Sequence, residues 1–137
     1  MPSMKPVTRH TFRKTEKLVS RKLMNQLFSE GKSFFIPPFK VLWLDTTVDA
    51  KSPAQLLISV PRRNFRHSVD RNRIKRLVRE AYRIHKHQLY AVLSSQGIQC
   101  AIALVMTGRN MPDYKEAEEI IMLILQRLSD EHEKVAG

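Results

Sequence analysis

Cysteine and glycine are scarce in this chain of 137 residues, which contains one cysteine and four glycines. A lone cysteine, Cys100, cannot form an internal disulfide or the cysteine cluster of a structural zinc site. The few glycines include no glycine-rich loop that could cradle a nucleotide phosphate. We interpret Cys100 as a small buried residue within a strand, since free cysteines are usually buried.

Long hydrophobic runs are also absent. No run approaches the roughly 20 apolar residues that a membrane-spanning helix needs. The first 13 residues lack the apolar segment of a secretory signal peptide. We therefore predict a cytoplasmic protein with no membrane partner.

Acidic residues are few relative to basic ones. The chain has 24 Lys and Arg against 13 Asp and Glu, a formal net charge of +11, which predicts a polyanionic partner. Its acidic residues fall mainly in segments 113–119 and 130–133, where they are typical of a helix start and a tail. His85 and His87 are two residues apart and would point in different directions on a helix. We therefore predict no catalytic and no metal-binding residue in the protein itself, and no cofactor.

The length fits one domain. We predict a flexible basic arm over residues 1–17, a domain over 18–130 and a tail over 131–137. Apolar periodicity predicts helices over 18–30, from an N-capping Ser68 to about Tyr90, and over 113–128. Strands are predicted over 39–44, 55–60 and 98–106, with a hairpin-type loop over 45–53 and a turn over 94–97. The fold class is therefore α+β, a small and mostly antiparallel sheet packed by three helices.

The segment 68–83 carries the clearest functional signal. On a helical wheel its buried stripe is formed by Ile74, Leu77, Val78 and Ala81. The broad remaining face is cationic and comprises Arg71, Asn72, Arg73, Lys75, Arg76, Arg79 and Arg83. Like charges at i,i+4 destabilise a helix by about 0.2–0.5 kcal/mol per pair, so this face indicates a bound anion rather than simple solvation. The preceding loop adds Arg62, Arg63 and Arg66, and guanidinium groups match phosphate geometry.

The ordered segment ISVPRRNFRHSVDRNRIKRLVREAY, residues 58–82, resembles the signature of the bacterial ribonuclease P protein component. In that family a strand ending in Ser-Val and a basic pair precedes Arg-Asn-Arg-Ile-Lys-Arg at the start of a helix. The resemblance extends over roughly residues 12–128.

This resemblance implies a protein subunit that assists 5′ maturation of tRNA without cleaving the substrate itself. The RNA subunit would hold the catalytic Mg²⁺ ions, and the basic helix would bind that RNA. A cleft between the first helix and the sheet would bind the single-stranded 5′ leader of precursor tRNA, through Met24, Phe28, Lys40 and Leu42. The family fold also implies a left-handed βαβ crossover.

The cleft departs from the family pattern. Met24 and Leu42 stand where the family often has aromatic residues, so Phe34 or Phe35 is a candidate for the missing stacking surface. Core packing remains the alternative for Phe28 and Met24.

Two other functions fit a basic helix. A ribosomal-type structural RNA-binding protein is the main alternative. A DNA-binding regulator is disfavoured, because the basic helix lies between two strands instead of in a helix-turn-helix.

Overall fold

The computed structural model describes residue 12 and residues 14–46 and 52–136. Within them lie one turn of 3-10 helix, Lys14–Glu16, four strands and four helices. The strands are β1 (Lys32–Ile36), β2 (Phe39–Thr46), β3 (Ala54–Ser59) and β4 (Gln99–Met106). The helices are α1 (Arg21–Glu30), α2 (Ser68–His85), α3 (His87–Gln96) and α4 (Tyr114–Ala136). The α+β class is confirmed, with a fourth helix that was not predicted.

The sheet has the order β1-β2-β4-β3. β2 pairs antiparallel with β1 and β4, whereas β3 pairs parallel with β4. The predicted hairpin between β2 and β3 is therefore wrong, because β4 lies between them. β4 is the most apolar strand, and a central position buries both of its faces. The parallel pair is joined through α2 and α3; the left hand of this crossover stays a prediction from the resemblance.

β1 is a strand that the sequence did not predict. It forms a hairpin with β2, and the cis peptide bond Pro37–Pro38 lies in the turn between them. The proline pair breaks the chain, as predicted. Because the turn consists of only these two residues, the aromatic segment before it pairs back on β2. Thr107 closes this end of the sheet by donating its backbone N–H to the Pro38 carbonyl at 2.7 Å.

The long basic helix ends earlier than predicted. It begins at Ser68, but His67 occupies the N-cap position and makes no side-chain cap hydrogen bond, so the predicted Ser68 cap is wrong. The helix stops at His85, and α3 continues from His87. Between them the buried Lys86 places its Nζ 2.5 Å from Glu16 Oε1. The predicted turn over 94–97 reduces to Gly97, whose φ of 66° ends α3 in the left-handed conformation that glycine tolerates.

The start of the domain includes part of the predicted arm. Residues 1–11 and 13 of that arm lie outside the described residues. Lys14–Glu16, however, packs against the domain with Glu16 buried, and Leu18 donates its N–H to the Leu56 carbonyl at 3.0 Å. The first helix therefore begins at Arg21 instead of residue 18, and Ser20 Oγ caps it by accepting from Leu23 N at 3.2 Å.

Residues 131–136 of the predicted tail are also helical, and residue 137 lies outside the described residues. α4 runs to Ala136, and both Ser129 and His132 are buried. A separate tail from residue 131 is therefore wrong, because His132 of α4 contacts Asp45 and Trp43 on the sheet.

The sheet carries a core on each face. Helices α2, α3 and α4 cover one face, where Phe39, Val41 and Trp43 of β2 are buried, and Cys100 is buried there in β4 as predicted. Helix α1 covers part of the other face by packing Leu23 and Leu27 on the sheet. Complete burial of a leucine such as Leu27 stabilises the fold by about 1.5–3 kcal/mol.

Candidate nucleic-acid interface

The structure confirms three of the four residues of the predicted buried stripe of α2, and it buries Tyr82, which was not predicted, in place of Leu77. Ile74, Val78 and Ala81 are completely buried, while Leu77 is half-buried at the edge of the stripe. On the outside, Asn72, Arg73 and Arg76 are exposed. The remaining predicted residues, Arg71, Lys75, Arg79 and Arg83, are half-buried.

Most of these cations lack a counter-charge. Seven basic side chains of α2 and its preceding loop form no ion pair with any residue that the structure describes. We call these seven the free cations. The free cations are Arg62, Arg63, Arg66, Arg73, Lys75, Arg76 and Arg79. Their mutual repulsion is relieved only by an external anion or by solvent.

Arg83 differs from the prediction. Its Nε donates to Glu80 Oε1 at 3.0 Å, and a second contact joins Nη2 to Glu80 Oε2. This hydrogen bond lowers the pKa of Glu80, so the pair stays charged at neutral pH. The far end of the basic row is therefore partly neutralised, one turn after Arg79.

The basic loop is held in place by backbone contacts. Phe65 is buried in the core and anchors the loop from within. Arg71 Nη1 donates to the carbonyls of Phe65 at 2.9 Å and Arg66 at 2.8 Å, which joins the loop to the first turn of α2. Asn64 Nδ2 donates to the Met106 carbonyl at 3.3 Å. Arg71 thus has a structural task, and the sequence analysis missed both that task and the anchor Phe65.

A groove runs beside the basic helix. Its volume is about 170 Å³, and it separates α2 from residues 17–19 and β3. Lys75, Arg79 and Lys17 line it together with apolar residues that include Leu56 and Leu57. Cations above an apolar floor suit a polyanion that also carries flat apolar groups, such as a nucleotide chain.

The sheet face that α1 leaves uncovered forms a second candidate surface. The strand registers align Phe35, Lys40, Val105 and Ser59 in one row across all four strands. We call these four residues the open row. Phe35 is 57% exposed and Lys40 is exposed, and Phe28 on α1 is 52% exposed. Phe28 is therefore not a core residue, and Phe35 is the aromatic residue that β1 adds to this face.

The other predicted cleft residues are less accessible. Leu42 is only 7% exposed and packs with Leu27 beneath α1, so it belongs to the core instead of a cleft wall. Met24 is half-buried against the same cluster. Phe34 points to the opposite face of the sheet, where the Arg127 guanidinium lies 4.7 Å from its ring centre.

The carboxylates at the start of α4 are occupied as helix caps. Asp113 Oδ1 accepts from Glu116 N at 2.8 Å, and Glu116 Oε1 accepts from Asp113 N at 3.1 Å. Glu118 Oε2 lies 2.8 Å from His85 Nε2. In the described ranges, the residues that bring three possible ligand atoms together are Asp45, Cys100 and His132.

Together, the half-covered sheet and the adjoining loop and helix of free cations define an α+β protein with one strongly cationic face. The family model described as Ribonuclease P matches residues 12–129, which include both candidate surfaces. The chain belongs to the family of the ribonuclease P protein component.

Individual relatives agree with this assignment. The ribonuclease P protein component of Porphyromonas gingivalis (strain ATCC 33277) is 37% identical over 116 residues, covering 85% of each chain. The protein of that name from Chlorobium phaeobacteroides is 34% identical over 129 residues, covering 87% of this chain and 88% of the relative.

Solved structures share the fold. The ribonuclease P protein from Thermotoga maritima has a TM-score of 0.66 at 25% identity, covering 82% of this chain and 96% of that one. The Staphylococcus aureus protein gives a TM-score of 0.67 at 18% identity, covering 82% and 94%, which shows the fold alone.

The family assigns the chain to tRNA processing, as a component of an endonuclease complex that contains RNA. Within the part of the chain that the structure describes, none of the helices has the length and apolar character to cross a membrane.

Proposed function

We propose that this chain is the protein subunit of ribonuclease P and that its free cations bind the RNA subunit. The observation that carries this proposal is that seven neighbouring cations on α2 and its loop lack acidic partners within the described residues. Phosphates of a folded RNA would supply those partners. The buried Phe65 anchor and the bonds from Arg71 fix the loop in advance, which lowers the entropy lost on binding.

The open row and Phe28 would bind the 5′ leader of precursor tRNA. Phe28 and Phe35 offer exposed rings on which unpaired bases can stack, and a stacked base contributes about 1–3 kcal/mol. Lys40, opposite Phe35 in the sheet, would contact a leader phosphate. Leu42 would support this surface from below without touching the leader.

The protein would bind and orient its partners, while the RNA subunit would carry out the hydrolysis. The carboxylates that start α4 are used as caps, so we assign no proton transfer to the protein. The Mg²⁺ ions required by the complex would be held by the RNA, and no DNA partner is proposed.

Cleavage of precursor tRNA at low Mg²⁺ concentration tests this function directly. A bacterial ribonuclease P RNA is assayed alone, with this protein, and against a protein-only control. Cleavage that requires both components supports the proposal, and the protein alone should be inactive. If the protein leaves the RNA's activity unchanged, its basic face serves another RNA, and the ribosomal-type alternative becomes the better hypothesis.

A further inference from the structure

Three side chains with different ligand atoms meet at the end of the sheet remote from the basic loop. Asp45 on β2 and Cys100 on β4 are direct partners in the sheet, and His132 reaches them from α4. Their ligand atoms all lie within 4.8 Å of one another. We propose that Asp45, Cys100 and His132 bind a single Zn²⁺ ion that joins the end of α4 to the sheet.

The Asp45 side chain must move for the three ligand atoms to surround one ion. His132 Nε2 lies 2.6 Å from Asp45 Oδ1. Tetrahedral zinc with bonds of about 2.0–2.3 Å separates its ligand atoms by about 3.4 Å, so this pair must open by about 1 Å. The Asp45 side chain is 40% exposed and can rotate, whereas His132 and Cys100 are buried in the core.

His132 is already oriented as a metal ligand. Its Nδ1 lies 2.7 Å from the Leu128 carbonyl oxygen, which can only accept, so Nδ1 is the donor. Metal-binding histidines commonly donate their second ring N–H to a backbone carbonyl in this way. The remaining nitrogen, Nε2, is directed at Asp45. The exposed side of Asp45 also provides an entry path and room for water as the fourth ligand.

The ligand set selects the metal. One sulfur, one imidazole nitrogen and one carboxylate oxygen suit Zn²⁺, whereas Mg²⁺ and Ca²⁺ prefer oxygen ligands alone. Binding replaces two protons, which pass to solvent: the Cys100 thiol proton, and the proton between His132 and Asp45. The resulting thiolate and the Asp45 carboxylate together balance the two positive charges of the ion. The nearby Lys32 ammonium, 5.0 Å from the Trp43 ring centre, opposes binding and lowers the affinity.

The chain provides its own comparison. His85 and Glu118 form a second histidine–carboxylate pair at 2.8 Å, but no cysteine accompanies them, since Cys100 is the only one in the chain. The alternative for the cluster is a simple ion pair between the buried His132 and the partly exposed Asp45. A bond between the metal and the Cys100 sulfur would distinguish the zinc site from this ion pair.

The test uses the full-length protein without RNA, so that its result is independent of the proposed function. Zn²⁺ affinity is measured by competition with a chromogenic chelator, and Co²⁺ is added as a spectroscopic probe. We expect one Zn²⁺ site in the unmodified protein and a sulfur-to-cobalt charge-transfer band in its Co²⁺ form. Cys100→Ala should abolish the band and weaken Zn²⁺ binding by more than the roughly 10–100-fold typical of losing an outer-shell partner. His85→Gln should change neither measurement.

Two outcomes would overturn the proposal. The first is the absence of a charge-transfer band in the unmodified protein, which needs no variant and is unaffected by misfolding. The second is Zn²⁺ binding by folded Cys100→Ala, checked by circular dichroism, at the affinity of the unmodified protein. Zn²⁺ should also raise the melting temperature of the unmodified protein and not that of Cys100→Ala, because the ion binds only the folded arrangement.

Discussion

Replacing Arg76 with alanine should weaken binding to the RNA subunit and flatten the dependence of that binding on salt. Arg76 is exposed and forms no ion pair within the described residues, so its guanidinium is available to a phosphate. Each phosphate contact contributes about 0.7–0.9 to the slope of log affinity against log salt concentration. If all seven free cations make such contacts, the full slope is about 5–6, and Arg76→Ala should reduce it by about 0.7–0.9.

The predicted change is large enough to measure. Between about 50 and 200 mM monovalent salt, the affinity deficit of Arg76→Ala should shrink about threefold. The assay is fluorescence anisotropy of labelled RNA subunit at fixed Mg²⁺ concentration over a series of salt concentrations. An identical slope for Arg76→Ala and the unmodified protein would refute the reasoning and leave the basic face merely solvated.

Two further variants sharpen the comparison. Arg127→Ala removes an arginine from α4 that already pairs with Glu131 at 3.1 Å, so the slope should remain unchanged. Glu80→Gln removes the acidic partner of Arg83 and should steepen the slope by about the amount that Arg76→Ala removes. Opposite signs for Arg76→Ala and Glu80→Gln would exclude a general effect on folding.

Three other predictions follow from the structure. Phe28→Ala should weaken the equilibrium binding of leader-bearing precursor tRNA more than the binding of mature tRNA. Equal losses of affinity for the two RNAs would contradict a leader contact. Lys86→Met should lower the free energy of unfolding in urea by about 3–5 kcal/mol, because Glu16 is left buried and unpaired. Adding Glu16→Leu to this variant should restore most of the lost stability. No recovery in the double variant would refute the ion-pair account. Burial raises the pKa of both Tyr82 and Tyr90, so the neutral forms stabilise the fold. The contribution of these two tyrosines to stability should therefore be constant below about pH 10 and fall above it. In an alkaline absorbance titration these two tyrosines should ionise only as the protein unfolds, and reversible ionisation of all three tyrosines in the folded protein would contradict this.

The helical periodicity of α2 could be predicted because it is a local property of the chain. The positions of Ile74, Val78 and Arg76 around the wheel depend only on a turn of 3.6 residues, and the structure retains them. The break at Lys86 could not be predicted in the same way. It depends on Glu16, a residue 70 positions away that pairs with the Lys86 ammonium in the core.

The candidate leader surface could likewise be predicted only in part from the sequence. An aromatic residue at position 28 was recognised from the sequence, but its exposure and the burial of Leu42 depend on where α1 crosses the sheet. The sequence does not distinguish Phe34 from Phe35, because only the pairing of β1 with β2 decides which face of the sheet each occupies. That register places Phe35 on the open face and Phe34 beneath Arg127.

The sequence by itself determined the fold class, the basic face of α2 and the family, because charge, periodicity and an ordered motif are all written along the chain. Tertiary structure alone decided which of those cations lack partners, how β4 separates β2 from β3, and that Asp45, Cys100 and His132 meet. The physical reason is that ion pairs, strand order and ligand clusters depend on contacts between residues far apart in sequence. Such contacts are set by the packing of the whole core, and no local pattern records them.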